Sequence, residues 1–122
     1  MSSEIHPSSP GRDLLSGVVL AAFGIVIVVL SWQMDRMTQQ GATIIDMGAE
    51  STRPGSTPVK PAEQLKRLLP VLKAFRKLSR IPVSIDTQSA SVARACLDAG
   101  ATIINDISAL RHDPAMLKLL AK

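Results

Sequence analysis

Hydrophobic and polar positions divide the chain into three regions. Residues 1–13 are polar and rich in serine and proline, a composition typical of a disordered tail. Residues 14–32 carry no charged side chain and consist mainly of Leu, Val, Ile and Ala. From residue 33 to residue 122, short apolar runs alternate with longer segments whose apolar residues recur at helical spacing. The third region therefore predicts alternating βα units around a parallel sheet.

The apolar segment at residues 14–32 is long enough to cross a membrane. At about 1.5 Å per residue, a helix of this length reaches about 28 Å, close to the hydrocarbon thickness of a bilayer. Charged residues flank both ends, and Trp32 stands where interfacial aromatic residues are common. We predict a retained transmembrane helix, with a buried helix of a soluble core as the alternative. The flanking charges do not decide its orientation.

Glycine and proline residues indicate where helices begin and end in the βα region. Gly41 and Gly100 are each expected to end a helix. Pro61 is expected to begin one, because its missing N–H costs nothing in the first turn. Asp113 is predicted to cap the last helix. The predicted strands are residues 42–47, 81–86 and 101–105, and the helix between the last two covers residues 89–99.

A short repeat marks two of the predicted strands. Residues 41–46 (Gly-Ala-Thr-Ile-Ile-Asp) and 100–105 (Gly-Ala-Thr-Ile-Ile-Asn) agree in five of six positions. Right-handed βαβ crossovers bring the carboxyl ends of parallel strands to one edge of the sheet. We therefore expect Asp46, Asp86 and Asn105, with Asp106 beside it, to meet there. Because burying such groups without partners is costly, the sequence predicts a binding site at this edge.

Charge and cysteine content exclude some kinds of site. The chain has a formal charge of +4, and one helix carries much of the excess. Its basic residues are Lys66, Arg67, Lys73, Arg76, Lys77 and Arg80. They suit either an anionic partner or a solvated helix face. With 2% aromatic residues the chain offers little for base stacking, so we expect no nucleic-acid partner. The single Cys96 excludes an internal disulfide and is predicted to be a small core residue.

Three motifs in this order resemble the dihydropteroate synthase family. They are residues 45–55 (Ile-Asp-Met-Gly-Ala-Glu-Ser-Thr-Arg-Pro-Gly), residues 84–87 (Ser-Ile-Asp-Thr) and residues 103–107 (Ile-Ile-Asn-Asp-Ile). The resemblance runs from about residue 33 to residue 122. It implies a (β/α)₈ barrel, of which this chain holds strands two to four. The Glu50 to Gly55 hexapeptide argues against a related pterin-binding methyltransferase.

The resemblance implies a reaction and a set of site residues. The family joins p-aminobenzoate to the pyrophosphate ester of hydroxymethyl-dihydropterin and releases pyrophosphate. Asp86 and Asn105 match positions that bind the pterin ring. Thr52 and Arg53 match a mobile loop that contacts the pyrophosphate and helps to form the aminobenzoate pocket. Supporting roles are expected for three further polar residues of the motifs, Asp46, Ser51 and Asp106.

Departures from the family pattern limit what the chain is expected to do. Ala49 replaces a usual glycine, which would strain the loop if that position had a positive φ. Lys60 stands where the family has a serine-like helix cap. The family's first strand and its loop, with an Asn that holds Mg²⁺, have no counterpart in this chain. We therefore predict a truncated or fused form that is not a competent synthase alone. The alternative is a membrane-anchored, non-catalytic protein with a remnant pterin site.

The amino-terminal part carries a second resemblance. Residues 12–17 (Arg-Asp-Leu-Leu-Ser-Gly), which lead into the apolar segment, resemble the start of the small membrane subunit of tripartite tricarboxylate transporters. This places a junction between two unrelated sequences near residues 32–37. The expected localisation follows from the same division. The synthase family is cytoplasmic, whereas the chain is membrane-anchored if residues 14–32 insert.

Overall fold

Three parallel strands form the centre of the fold. The computed structural model describes residues 29–30 and 32–121. Within them the sheet has the order β1-β2-β3, and both neighbouring pairs are parallel. Its strands are β1 (Ile45–Gly48), β2 (Val83–Asp86) and β3 (Ile103–Asn105). The predicted α/β class is confirmed, and the arrangement fits part of a (β/α)₈ barrel.

Helices alternate with these strands as predicted. The first, α1, covers residues 32–39. The others are α2 (Pro61–Leu78), α3 (Ala90–Asp98) and α4 (Pro114–Leu120). In α2 the residues Leu68, Leu72 and Phe75 are buried, so the predicted apolar face is confirmed. Lys60 at its start makes no side-chain capping bond, in line with the departure seen in the sequence.

Strands β1 and β3 begin later than predicted because the preceding residues complete helix ends. The Ala42 N–H donates to the Met37 carbonyl and the Ala101 N–H to the Cys96 carbonyl. Gly41 and Gly100, at φ of +101° and +107°, make the turn that permits these bonds. Such bonding closes a helix with a left-handed glycine. The alanines therefore pair with helices, and the ladder starts after them.

One face of the sheet is covered by helices α2 and α3. Ile45 and Met47 of β1 and Val83 and Ile85 of β2 belong to one buried cluster with residues of both helices. The helical members are Leu68, Leu72, Phe75, Val92 and Cys96. Cys96 is fully buried, as predicted. By contrast, Ile44, directly before β1, is 52% exposed and Ile103 of β3 is 38% exposed. The sheet thus has one apolar face and one open face.

Arg76 differs from the other basic residues of α2. It was grouped with a charged helix face, but its side chain is only partly exposed. Its guanidinium donates to the Ile81 carbonyl and lies 5.3 Å from the Phe75 ring centre. The solvated-face interpretation is therefore wrong for this residue. The bond from Arg76 to Ile81 therefore links the last turns of α2 to the segment that precedes β2.

Asp113 caps two helices. Its Oδ1 accepts the N–H of Ala115 in α4 at 3.0 Å, which confirms the predicted cap. Its Oδ2 accepts the N–H of Ala90 in α3 at 2.8 Å. These two bonds hold the pKa of Asp113 below its ordinary value, and the bond from Ala90 has the larger effect. Since the folded-state pKa is depressed, this contribution to stability is present above the unfolded pKa and is lost as the pH falls through the folded one.

The predicted membrane segment lies mostly outside the described residues. Only residues 29, 30 and 32 of the apolar run 14–32 belong to them, and the tail 1–13 with the transporter-like residues 12–17 does not. Across residues 29–30 and 32–121, no helix combines the length and apolar character needed to span a bilayer. The transmembrane helix stays a prediction.

Candidate active site

The carboxyl ends of the three strands carry a row of site residues. In the sheet register Gly48 is level with Asp86, and Asp86 with Asn105. Asp46 is level with Ser84, two residues before the end of β1. The strand predicted to end at residue 47 continues by one residue to Gly48, so Asp46 lies further from the strand end than expected. The predicted residues do share one edge of the sheet, with Asp46 set back from it.

Gly48 provides space beside Asp86. A Cβ at position 48 would lie 3.3 Å from the Asp86 Cβ and 3.7 Å from its Oδ2. The first distance is tighter than most side-chain contacts, so a larger residue would displace the carboxylate. The glycine thus leaves the Asp86 side chain free at the strand end. The predicted strain at Ala49 is absent, because the non-glycine residues with positive φ in the described part are Ala109 and Leu110.

Asp86 is the electrostatically unusual group of this edge. Its Oδ1 is buried and has no hydrogen-bond partner among the described residues. Burial raises the pKa of Asp86, and the charges of Asp46, Glu50 and Asp106 raise it further. A buried acceptor without a donor costs free energy. A ligand that brings an N–H group to this oxygen would remove that cost.

Both carboxylate oxygens of Asp106 accept hydrogen bonds within the turn that follows β3. Its two carboxylate oxygens accept the N–H groups of Ser108, at 2.8 Å, and Leu110, at 3.2 Å. Ala109 and Leu110 have positive φ in this turn. The carboxylate therefore shapes the segment after β3, and Asn105 is the exposed polar residue of that strand.

The segment after β1 is a loop with a fixed base and an exposed tip. Ser51, Thr52 and Arg53 are exposed. The Ser56 N–H donates to the Arg53 carbonyl, and Gly55 at φ +83° completes this turn. At the base, Glu50 Oε1 accepts the Val59 N–H at 2.8 Å. The tip can reach a ligand while its ends remain in place.

Two grooves adjoin this loop. The first, of about 420 Å³, is lined by Ser51 and Thr52 together with residues at the starts of α2 and α3. The second, of about 560 Å³, lies on the other side and is lined by Asp46, Gly48 and residues of α1 and α2. Glu50 and Ser51 line both grooves. The structure thus places Thr52 and Asp46 in separate grooves that meet at the loop.

The donors present do not form a metal site. Within the described residues no group of three or more His, Cys, Asp or Glu side chains is placed to hold a metal ion. Both oxygens of Glu50 are engaged, by Val59 and Gln64, and both of Asp106 by backbone N–H groups. The Mg²⁺ implied by the resemblance therefore has no evident ligand set among the described residues.

Sequence reasoning missed Glu50 and Gln64 as site residues. Gln64 is 3% exposed, and its amide contacts both Glu50 and Thr87. A signal was available, since Gln64 lies four residues before Leu68 on the apolar face of α2. An uncharged polar residue on such a face indicates a buried hydrogen-bonding role.

Comparison with known proteins gives a consistent answer. The family model described as pterin binding enzyme matches residues 30–122. Dihydropteroate synthase of Synechocystis sp. is 47% identical over 90 residues, which cover 74% of this chain and 31% of that protein. The Mycobacterium leprae dihydropteroate synthase is 50% identical over 86 residues, with 70% and 30% covered. The chain therefore spans about a third of the length of these relatives.

Solved structures agree in fold. Xanthomonas albilineans dihydropteroate synthase with 4-aminobenzoic acid matches with a TM-score of 0.70 and 40% identity, over 77% of this chain and 34% of that one. The Burkholderia cenocepacia enzyme complexed with 7,8-dihydropteroate gives 0.67 and 44%, over 73% and 31%. The matched part contains all three strands and the loop after β1, and on this basis the chain belongs to the pterin-binding enzyme family.

Proposed function

We propose that the strand ends and the loop after β1 form the pterin and pyrophosphate part of a dihydropteroate synthase site. One observation carries the proposal, namely the buried and unpartnered Oδ1 of Asp86. A pterin has a 2-amino-pyrimidinone edge with adjacent N–H donors, which suits a carboxylate acceptor. Relatives solved with 4-aminobenzoic acid and with 7,8-dihydropteroate support this ligand class.

Six of the predicted site residues have a role in this proposal. Asp86 accepts N–H bonds from the pterin edge, and the Asn105 amide both donates and accepts beside it. Arg53 supplies a guanidinium that suits two phosphate oxygens, while Thr52 contributes a hydroxyl from the same loop. Asp46 and Ser51 both line the second groove beside this loop, where they have supporting roles, and Ser51 also lines the first groove.

The proposed reaction is a displacement at carbon. The amine nitrogen of p-aminobenzoate forms a bond to the methylene carbon of the pterin, the bond from that carbon to the pyrophosphate oxygen breaks, and the amine loses a proton. Arg53 stabilises the charge that develops on the leaving pyrophosphate. Because several cations act together in such chemistry and this chain spans a third of its relatives, we expect ligand binding without turnover from the 122 residues alone.

Calorimetry with the full chain tests this function. Hydroxymethyl-dihydropterin pyrophosphate is titrated with and without Mg²⁺, and binding at millimolar ligand or below is expected. The D86A variant should lose about tenfold in affinity or more, because the carboxylate bonds disappear. D98A, at an exposed aspartate of α3, is the matched control and should bind normally. Absence of heat at millimolar ligand would refute the proposal, and dihydropteroate formation would refute the expected inactivity.

A membrane anchor over residues 14–32 remains a second proposal. The uncharged apolar run supports it, and it would make the chain a membrane-attached protein with a pterin site. Carbonate extraction of membranes from expressing cells is the test. Retention of the chain in the membrane pellet is expected, whereas release into the supernatant would overturn the anchor without affecting the pterin proposal.

A further inference from the structure

A network of hydrogen bonds joins the loop after β1 to the end of β2. Glu50 Oε2 accepts from the Gln64 amide nitrogen at 3.2 Å, and the same nitrogen donates to the Val59 carbonyl at 2.8 Å. The Gln64 amide oxygen accepts from the Thr87 hydroxyl at 3.2 Å. We call these four residues, Glu50, Val59, Gln64 and Thr87, the Gln64 network. Its members come from the two ends of the loop, from α2 and from the segment after β2.

On the loop side, the network bridges Glu50 and Val59, the two residues that flank the loop 51–58. Glu50 and Val59 are nine residues apart and are joined both directly, through the Val59 N–H, and through the Gln64 amide. Fixing both ends of a loop limits the positions that its tip can take. Thr52 and Arg53 are at that tip, so their reach depends on this closure.

On the strand side, the network contacts residues next to the proposed pterin-binding residues Asp86 and Asn105. Thr87 follows Asp86 directly and is 2% exposed. Its N–H donates to the Asn105 carbonyl at 3.2 Å, and its Oγ1 accepts the Ser89 N–H at 3.2 Å. The contacts of one buried amide therefore extend from the loop to both strand ends that carry the predicted pterin ligands.

We propose that Gln64 is a positioning residue that holds the loop bearing Thr52 and Arg53 at a fixed distance from Asp86 and Asn105. This inference depends on the proposed function only for the identity of the ligand that these residues bind. Gln64 touches no ligand itself. It acts through Glu50 and Thr87, because positional precision of reacting groups depends on the residues that support them.

The chemistry of the position favours glutamine. Its amide supplies donors toward Glu50 and the Val59 carbonyl and an acceptor toward Thr87. Glutamate would place a second carboxylate against Glu50 and would lose both donors. Methionine would fill the same space but would leave the Thr87 hydroxyl and one Glu50 oxygen without this partner.

Amide hydrogen exchange of the full chain tests the proposal. In Q64M, the hydrogen-bonded loop amides of Ser56 and Val59 should exchange about tenfold faster than in the unchanged protein, while those of α3 should change by less than about twofold. The control is Q39M. Gln39 is exposed and donates to the Asp35 carboxylate at 3.2 Å, so the same chemical change there should leave loop exchange unaltered.

A ligand measurement separates positioning from general stability. Q64M should weaken binding of hydroxymethyl-dihydropterin pyrophosphate about tenfold more than binding of the same pterin without pyrophosphate. If the unchanged chain binds neither compound, the proposed function fails, and the exchange comparison still decides the role of Gln64.

The proposal is overturned by equal acceleration of exchange in the loop and in α3, or by none in the loop. If Q64M does not fold, E50A removes the bond between Gln64 and Glu50, together with the bond from the Val59 N–H, at the partly exposed end of the network and must show the same loop-specific acceleration. Normal loop exchange in a folded E50A variant would also overturn it.

Discussion

Residues 41–46 and 100–105 have nearly the same sequence, fold alike where they begin and differ where they end. Both start with a glycine at positive φ, and both following alanines donate to a helix carbonyl five residues back. Further along, Ile45 is 6% exposed and belongs to the main core, whereas Ile104 is only partly buried between two clusters. The local sequence determines the turn, and the neighbours determine how much each strand buries.

The two copies also deliver different groups to the open face. Asp46 is two residues before the end of β1, while Asn105 is the last residue of β3. Asp46 adds negative charge near Asp86, and Asn105 adds a neutral amide level with it. A single change of acid to amide therefore turns one structural repeat into two different contributions to the site.

The largest expected contrast is between the two core isoleucines. I45A should lower the free energy of unfolding by about 3 kcal/mol, because it removes a buried side chain and leaves a cavity. I104A should cost about half as much, since that side chain is already partly exposed. Urea unfolding measures both values. Equal losses would mean that the two strands are buried alike in solution.

The two glycines should differ by a smaller amount. G41A should cost about 1–2 kcal/mol for the unfavourable φ alone, because nothing lies within 4 Å of the added Cβ. G100A brings that Cβ to 3.0 Å from the Arg76 Cδ and should cost about 1 kcal/mol more. Adding R76A to both variants should remove the difference. A persisting difference would assign it to a cause other than Arg76.

The pH dependence of Asp86 is the next contrast. Its folded-state pKa is raised, so between the unfolded and folded pKa values the folded protein holds more protons. Stability from this group is present at acid pH and is lost as the pH rises through the folded pKa. D86N should therefore gain stability relative to the unchanged chain as the pH rises from 3.8, the ordinary pKa of an aspartate, through the folded-state pKa of Asp86. Parallel unfolding curves across this range would contradict the raised pKa.

Exchanging the ends of the repeat should have the smallest effect. D46N removes one of the charges that raise the pKa of Asp86 and should move it toward its ordinary value of 3.8. N105D adds a carboxylate level with Asp86 and should move it further up. Carbon NMR titration of the Asp86 carboxyl group measures both shifts. Shifts of the same sign in the two variants would refute this electrostatic account.

Much of the fold could be predicted because it depends on local patterns. Gly41, Gly100 and, at the start of α4, Asp113 act at helix ends as expected, since these contacts involve only neighbours in sequence. The extension of β1 to Gly48 could not be predicted, because it requires pairing with Asp86 across the sheet. The burial of Arg76 was missed for a similar reason, as its partner is the Ile81 carbonyl beyond the helix.

The site was predicted less completely than the fold. Its polar strand ends follow from the alternation of strands and helices, and the structure does place Asp86 and Asn105 side by side. The contacts among Glu50, Gln64 and Thr87 join residues up to 37 positions apart, because Glu50 and Gln64 are separated by 14 and Gln64 and Thr87 by 23. Composition and periodicity carry no information about which side chains meet over such distances.

The carboxylate of Asp113 has a consequence for the order in which the chain folds. Its partner Ala90 lies 23 residues earlier, at the start of α3. During synthesis α3 is therefore made before the residue that caps it, and it gains that cap only when the residues after β3 follow. The unit that contains α3 is thus completed by the unit after it. In a protein built from successive units, such a dependence favours assembly in the direction of translation.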